Sequence, residues 1–376
     1  MKNLPLFKVL MSAAAAVEVE KVLTSGYVAE GERVLEFEHV LARGLEAPGE
    51  ILAINSCTSA LDLALHLAGV GPGDEVITTP QTCTATNTMI VNRRATCIWA
   101  DIHPLTGNID PVSVAGLITP KTKAIMAVDW GGLPCDYKLL KAHGIPVIED
   151  AAHAFRARYL GESIAKTGGD YVCWSFQAIK HLTTGDGGAI KVPKDQETRA
   201  RLLRWYGLDR RGSKQLRCAQ DIEEAGYKYH MNDIAAAIGL ANYQAAVDGV
   251  EAHRARAAFY DATLVDVDDI TTPAEQAYSA EHITYAHESS WWLYTLLVED
   301  RRSFIDFMHG EGIETSPVHL RNDRHPAFAR ASEKRIDLPG VDYFSEREVA
   351  IPVGWWLTLE DVQRIADAVK RWSKRQ

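Results

Sequence analysis

The sequence predicts an α/β fold: a mostly parallel central sheet flanked by helices, with a smaller α+β domain at the C-terminal end. Two observations carry this. Short β-branched runs alternate with helical patterns between about residues 50 and 192, and one long alanine-rich helix follows at 233–262, its charges gathered towards the far end. Strands are expected at 75–78 (EVIT), 96–99 (TCIW), 124–128 (AIMAV), 146–149 (PVIE), 171–176 (YVCWSF) and 189–192 (AIKV). A helix from Ser59 to Leu67 shows Ala60, Leu61, Ala64 and Leu65 at helical spacing. Gly71-Pro72-Gly73-Asp74 is turn chemistry before a strand, and Pro134 and Pro146 bracket another helix-to-strand connection. Beyond the long helix, a strand-like run at 292–298 and helices near 302–311 and 360–374 form the smaller unit. The boundary is placed near 245–255, dividing a large domain of residues 1–250 from a small one of 251–376.

The chain has 376 residues, 47% of them hydrophobic, which suffices for a sizeable core. Its formal net charge of -10 opposes any surface that tracks phosphate backbones, so nucleic acid is not an expected partner. The six cysteines (Cys57, Cys83, Cys97, Cys135, Cys173, Cys218) form no CxxC pair. That spacing points away from a zinc site or a disulfide framework and towards a reducing cytoplasm. The run Ala13 to Ala16 leads directly into Glu18 and Glu20, unlike a signal peptide. No apolar run approaches the ~20 residues that span a bilayer, so no membrane association is expected.

In a parallel α/β sheet, ligands bind outside the carboxyl ends of the strands. Three segments are expected to meet there. Asn55-Ser56-Cys57-Thr58-Ser59 opens a helix with small hydroxyl residues, which either cap it or hold a phosphate on its free amides. In Val147-Ile148-Glu149-Asp150-Ala151-Ala152-His153 a carboxylate follows an apolar strand; Asp150 either caps the next helix or needs a cationic partner such as a protonated pyridine nitrogen. In WSFQAIKHLTTGDGG (174–188), Ser175 leaves a strand, Lys180 follows, and glycines permit close backbone approach. Lys180 is then either an ordinary solvated charge or a desolvated lysine that loses its proton and acts as nucleophile or base.

The string SFxxxKxxTTGDGG, the EDAAHA segment at 149–154, the TSALDLAL helix start and the GYKYHMND segment at 226–233 resemble the DegT/StrS family of sugar aminotransferases. The resemblance runs from about Gly26 to the Leu338-Pro339 and Ile351-Pro352 region. It implies the aspartate-aminotransferase fold (type I), pyridoxal 5'-phosphate as cofactor and a homodimer with shared active sites. Lys180 would join the cofactor covalently and move protons. Asp150 would pair with the pyridine nitrogen, Thr58, Ser59 and Ser175 would hold the phosphate, and His153 would lie beside the ring.

Three positions differ from the family's usual pattern. Cys83 stands where an aromatic residue commonly stacks on the ring, and a polarisable thiol can still pack there. Lys228 and His230 occupy places more often taken by Asn and Arg, so Lys228 would reach a second subunit's cofactor phosphate as a cation. Cys57 replaces a glycine. At the substrate end, Ser316 to His325 is dense in donors; it either binds an anionic or hydroxyl-rich substrate through His319 and Arg321, or holds internal ion pairs.

The activity implied is transfer of an amino group from L-glutamate to a keto-sugar, in cytoplasmic amino-sugar biosynthesis for a surface polysaccharide or a glycosylated metabolite. Three alternatives stand beside it. One is amination of a non-nucleotide ketone, such as a keto-octulosonate or keto-inositol. Another is a sugar dehydratase, opposed by Lys180 where that branch carries histidine. The third is a non-catalytic regulatory protein on the same fold.

Overall fold

The computed structural model describes residues 2–210, 212, 216, 219–273, 287–329 and 337–375; Cys218 lies outside them. The strands are β1 (Ile51–Ile54), β2 (Glu75–Thr78), β3 (Thr96–Trp99), β4 (Thr122–Val128), β5 (Val147–Asp150), β6 (Arg158–Tyr159), β7 (Glu162–Ser163), β8 (Tyr171–Ser175), β9 (Gly188–Lys191), β10 (Ile270–Thr271), β11 (Tyr294–Val298) and β12 (Glu348–Ile351). Seven of them form the central sheet in the order β1-β9-β8-β5-β4-β2-β3. From β3 to β8 the neighbours run parallel, and β9 runs antiparallel to both β8 and β1. The sheet is mostly parallel, as the sequence predicts. The β-run pattern missed β1, because ILAI is a four-residue apolar run leading straight into a helix, and such a run has no period of its own.

The helices preceding the C-terminal unit are α1 (Ala14–Ser25), α2 (Glu32–Gly44), α3 (Cys57–Leu67), α4 (Thr84–Asn92), α5 (Pro111–Leu117), α6 (Tyr137–Lys141), α7 (Ile164–Thr167), α8 (Glu197–Arg204) and α9 (Asp233–Leu264). Strand alternation divides the core into two layers. Along β4, Ala124 and Met126 pack with Leu61, Ile90 and Leu203 from α3, α4 and α8. Ile125 and Ala127 pack on the opposite face with Phe37, Leu140 and Ala246 from α2, α6 and α9. Both faces of the sheet are therefore covered, which is why its strands read as apolar runs.

A third core lies under the antiparallel sheet β10-β11-β12, with the helices Arg301–Gly310 and Leu359–Ser373. Leu4 belongs to this core, and its backbone N–H donates to Gly312 O at 2.9 Å. The amino-terminal residues thus pack with the carboxy-terminal unit. α9 runs unbroken through Val250, and Ala257, Tyr260 and Leu264 at its far end enter the third core. Among the described residues no helix is long and apolar enough to cross a membrane.

Candidate active site

The carboxyl ends of β1, β2, β4, β5 and β8 lie on one edge of the sheet, since β1 and β8 both oppose β9. β1 delivers the chain to Ser56, the N-cap of α3. Its Oγ accepts from Ser59 N at 3.1 Å and donates to Ser59 Oγ at 3.0 Å. The first helical hydrogen bond runs from Ala60 N to Ser56 O (3.1 Å), so the amides of Cys57 and Thr58 precede it at the positive end of the helix. Register places Gly188 between Ile54 and Ser175, which brings Ser175 to the same end. A Cβ on Gly188 would sit 2.6 Å from Cys57 N and 2.7 Å from Trp174 O. The glycine turn therefore serves the close approach of β9 to the start of α3.

Asp150 ends β5 and is 4% exposed. Alternation along β5 points it to the α3 side, where Thr86 Oγ1 donates to Oδ2 at 2.7 Å and Ala152 N donates to Oδ1 at 3.1 Å. Burial raises its carboxyl above the ordinary range, opposed by these two hydrogen bonds and by the charge of Lys180. The Lys180 side chain makes no hydrogen bond or ion pair among the described residues; its Nζ lies 3.6 Å from the centroid of the Trp292 ring. Burial lowers its ammonium to about 8, against the favourable charge of Asp150. An amine in that state is partly free of its proton near neutrality.

His153 is buried and stacks on Trp292, with ring centroids 3.9 Å apart at 19°. Burial holds it well below its usual value, with Lys180 and His319 acting in the same direction. His319 takes a left-handed φ of 67°, lies nearly parallel to His153 at 6.1 Å, and is brought to about 4 by burial and then by Lys180. Cys83 caps α4 without a side-chain hydrogen bond and lies close enough to Lys180 to act on its charge. Thr58, Ser59, Cys83, Asp150, His153, Ser175, Lys180 and His319 thus surround one sheet edge.

Two further expected residues lie outside this group. Arg321 is only 5% exposed; its Nε and one terminal nitrogen donate to Asp323 at 2.7 Å each, and the other terminal nitrogen pairs with Asp342. The guanidinium is thus engaged in internal ion pairs, and its fork is not presented to a substrate. Next to it, Asn322 donates to Thr82 O at 2.7 Å and accepts from Asn87 at 3.0 Å, docking this loop on the turn that carries Cys83. Lys228 is exposed, and its carbonyl accepts from Asn55 Nδ2 at 3.1 Å, so its backbone lies beside the start of α3. Thr86 and Trp292 touch Asp150 and Lys180 but belong to none of the motifs. Only an expectation that a buried carboxylate needs donors hints at Thr86.

This arrangement agrees with the comparisons with known proteins. The DegT/DnrJ/EryC1/StrS aminotransferase family model matches residues 10–370. The chain belongs to this family. It is similar to the sugar aminotransferase CalS13 from Micromonospora echinospora, at 37% identity and a TM-score of 0.90 over 98% of this chain and 99% of that one. The spore coat polysaccharide biosynthesis protein SpsC of Bacillus subtilis is 32% identical over 94% of this chain and 92% of its own. A putative sugar aminotransferase of Streptococcus pneumoniae, Spr1654 in its PLP form, aligns with a TM-score of 0.88 at 27% identity over 100% of this chain and 99% of that one.

This DegT-type chain is a pyridoxal-phosphate-dependent aminotransferase acting on small molecules. Its residues fit the cofactor. Among the described residues the buried His153 Nδ1 and His319 Nε2 have no hydrogen-bond partner, and both rings feel the charge of Lys180. Beside them are a buried carboxylate for a ring cation and a helix N-terminus flanked by hydroxyls for a phosphate.

Proposed function

We propose that this chain transfers an amino group from L-glutamate to a keto-sugar, either a nucleotide-linked 3- or 4-keto-6-deoxy sugar or a related one, in amino-sugar biosynthesis for a surface polysaccharide or a glycosylated metabolite. Lys180 carries the reading: an amine without ion pair or hydrogen bond among the described residues, brought to about 8 by burial and acted on by the charge of a buried carboxylate at a strand end. The acceptor class is supported by CalS13, named a sugar aminotransferase, and by SpsC, named for polysaccharide biosynthesis.

In this reading Thr58, Ser59 and Ser175, with the leading amides of α3, hold the cofactor phosphate. Asp150 accepts from the ring N–H, kept ionised by Thr86 and Ala152. Cys83 packs on the ring and His153 lies beside it. Bound pyridoxal phosphate supplies an electron sink next to the substrate carbon. Lys180 Nζ takes the proton from the donor carbon, and in the second half of the cycle it moves a proton at the acceptor carbon. His319, neutral near pH 7, presents its unpartnered Nε2 to the substrate. Arg321 positions the loop that carries His319. The enzyme works in the cytoplasm as a homodimer, in which Lys228 reaches the cofactor phosphate of the second copy. The substrate closes between a large domain of residues 1–250 and a small domain of 251–376.

The test uses L-glutamate labelled with ¹⁵N, the purified protein with pyridoxal phosphate, and a panel of nucleotide-linked and non-nucleotide ketones. Label appearing in a nucleotide-linked sugar, and absent with Lys180→Ala, is the expected result. Label only in non-nucleotide ketones would replace the acceptor, and label in none would overturn the reading.

A further inference from the structure

We infer that Trp292 is a positioning residue for the reaction: its indole face is the resting place of the Lys180 ammonium whenever that amine is not bonded to the cofactor. Four observations place it there. Lys180 Nζ lies 3.6 Å from the ring centroid, within cation–π reach, and has no other polar partner among the described residues. The indole N–H donates to the carbonyl of Ile179, the residue before the lysine, at 3.0 Å, so the ring is tied to the backbone that carries the amine. His153 stacks on the same indole at 3.9 Å and Phe7 at 5.0 Å, which fixes the ring plane. The segment before it is held as well: Ser290 Oγ donates to His153 O at 2.8 Å and Ser290 N to Gly132 O at 3.1 Å.

The inference rests on the proposed role of Lys180, which must leave the cofactor for an amino donor to take its place and must then remain within reach. A free ammonium in a desolvated site would otherwise swing towards water or towards Asp150 and disturb the carboxylate that the ring nitrogen needs. An indole face attracts the cation without offering a competing hydrogen bond, so the amine can leave it to collect a proton or to attack. The titratable groups around the amine are Asp150 on β5, Cys57 on α3, Cys83 before α4, His153 and His319, with His181 adjacent in sequence. The three histidines are held low chiefly by burial and are neutral near pH 7, which leaves Asp150 first, then Cys57 and Cys83, together with the indole face, as the groups favouring the charged amine.

The experiment labels the full chain, freed of cofactor, with acetic anhydride across a pH series. Acetylation of Lys180 is read by peptide mass spectrometry against the exposed Lys194. The ring stabilises the cation, so Trp292→Leu should lower the Lys180 midpoint by about one pH unit, while Trp292→Phe should fall between Leu and wild type. Both variants lose the indole N–H, so the difference between them reports the ring face alone. Uniform fluorotryptophan incorporation, which preserves shape and weakens the negative face, should also lower the midpoint and serves if the Leu variant does not fold. An unchanged or higher midpoint, or equal shifts for Phe and Leu, would overturn the inference. Because this readout needs neither glutamate nor a keto-sugar, it stands or falls separately from the proposed transamination.

Discussion

Thr86 hands a hydrogen bond to the one carboxylate at the centre of the site, 64 positions further along the chain. A hydrogen bond to a charged group contributes about 1.5–3 kcal/mol. Thr86→Val keeps the shape and removes the donor, so Asp150, already raised by burial, protonates more readily. Cofactor retention should then weaken roughly tenfold to a hundredfold, measured by equilibrium dialysis; unchanged affinity would show that Asp150 is not the cofactor's anchor. Lys180 gives a second expectation. Its amine attacks only without its proton, so the rate of cofactor attachment should rise with pH and level off above about 8, followed by stopped-flow absorbance. Lys228→Ala should loosen cofactor retention if the side chain reaches a neighbouring phosphate, and a null result in dialysis would remove that role. That Lys180, Asp150 and the hydroxyls at Thr58 and Ser59 gather at one sheet edge was legible because each sits in a contiguous motif. Thr86 and Trp292 were not, because their partners come from other elements. Arg321 shows the converse: a donor-rich segment looks the same whether its guanidinium faces a substrate or, as here, Asp323 and Asp342.

Two elements set the position of the start of α3, where the proposed phosphate site lies. Gly188→Ala would drive a Cβ against Cys57 N and Ser56 C, where both neighbours are backbone. Overpacking of this kind costs about 1–3 kcal/mol. Beyond that cost it should displace the start of α3, so the cofactor affinity falls more than the melting temperature would suggest. The second is the clamp by which α8 holds α2 and β1. Arg204, 1% exposed, donates to Ala53 O at 2.8 Å and pairs with Glu30 at 2.8 Å and with Glu38. Arg204→Met removes the buried cation that Glu30 and Glu38 share and leaves them only the more exposed Arg210 and Arg201 as cationic partners; loss of one partner of a buried pair costs about 3–5 kcal/mol. Urea denaturation should show that loss. Burial pushes the Glu38 carboxyl up, but Arg204 and Arg201 outweigh it and hold it below 4.5. The stabilisation from Glu38 is therefore present above its unfolded value and is lost as the pH falls through its lower folded value, and Arg204→Met should flatten that acid limb. The strands β2 and β3 and the long α9 were readable from periodicity. β1 was not, although it supplies the turn before α3, because its four buried residues leave no polar face to mark a period.

At the scale of the molecule, the central sheet supplies Asp150, Lys180 and the start of α3, and the carboxy-terminal unit brings Trp292 and His319 to the same edge; in the proposed reading the first set anchors the cofactor and the second faces the substrate. Trp292 precedes β11, while His319 and Asn322 arrive on a loop docked at Pro80 and Thr82. Such a division follows from parallel strands, whose carboxyl ends leave one edge open for a second unit to cover. It also explains why the sequence disclosed the strand-end residues and much less of the loop that covers them. Strand-to-helix turns carry recognisable small and acidic residues, whereas the loop at 316–325 owes its shape to contacts with residues more than 200 positions away. The central claim, that Lys180 is the working amine of an aminotransferase, is tested most directly by visible absorption of the purified protein with pyridoxal phosphate, before and after L-glutamate. The account predicts a visible band that glutamate bleaches and that Lys180→Ala does not form. A band that is the same in the variant, or no band in the wild type, would contradict it.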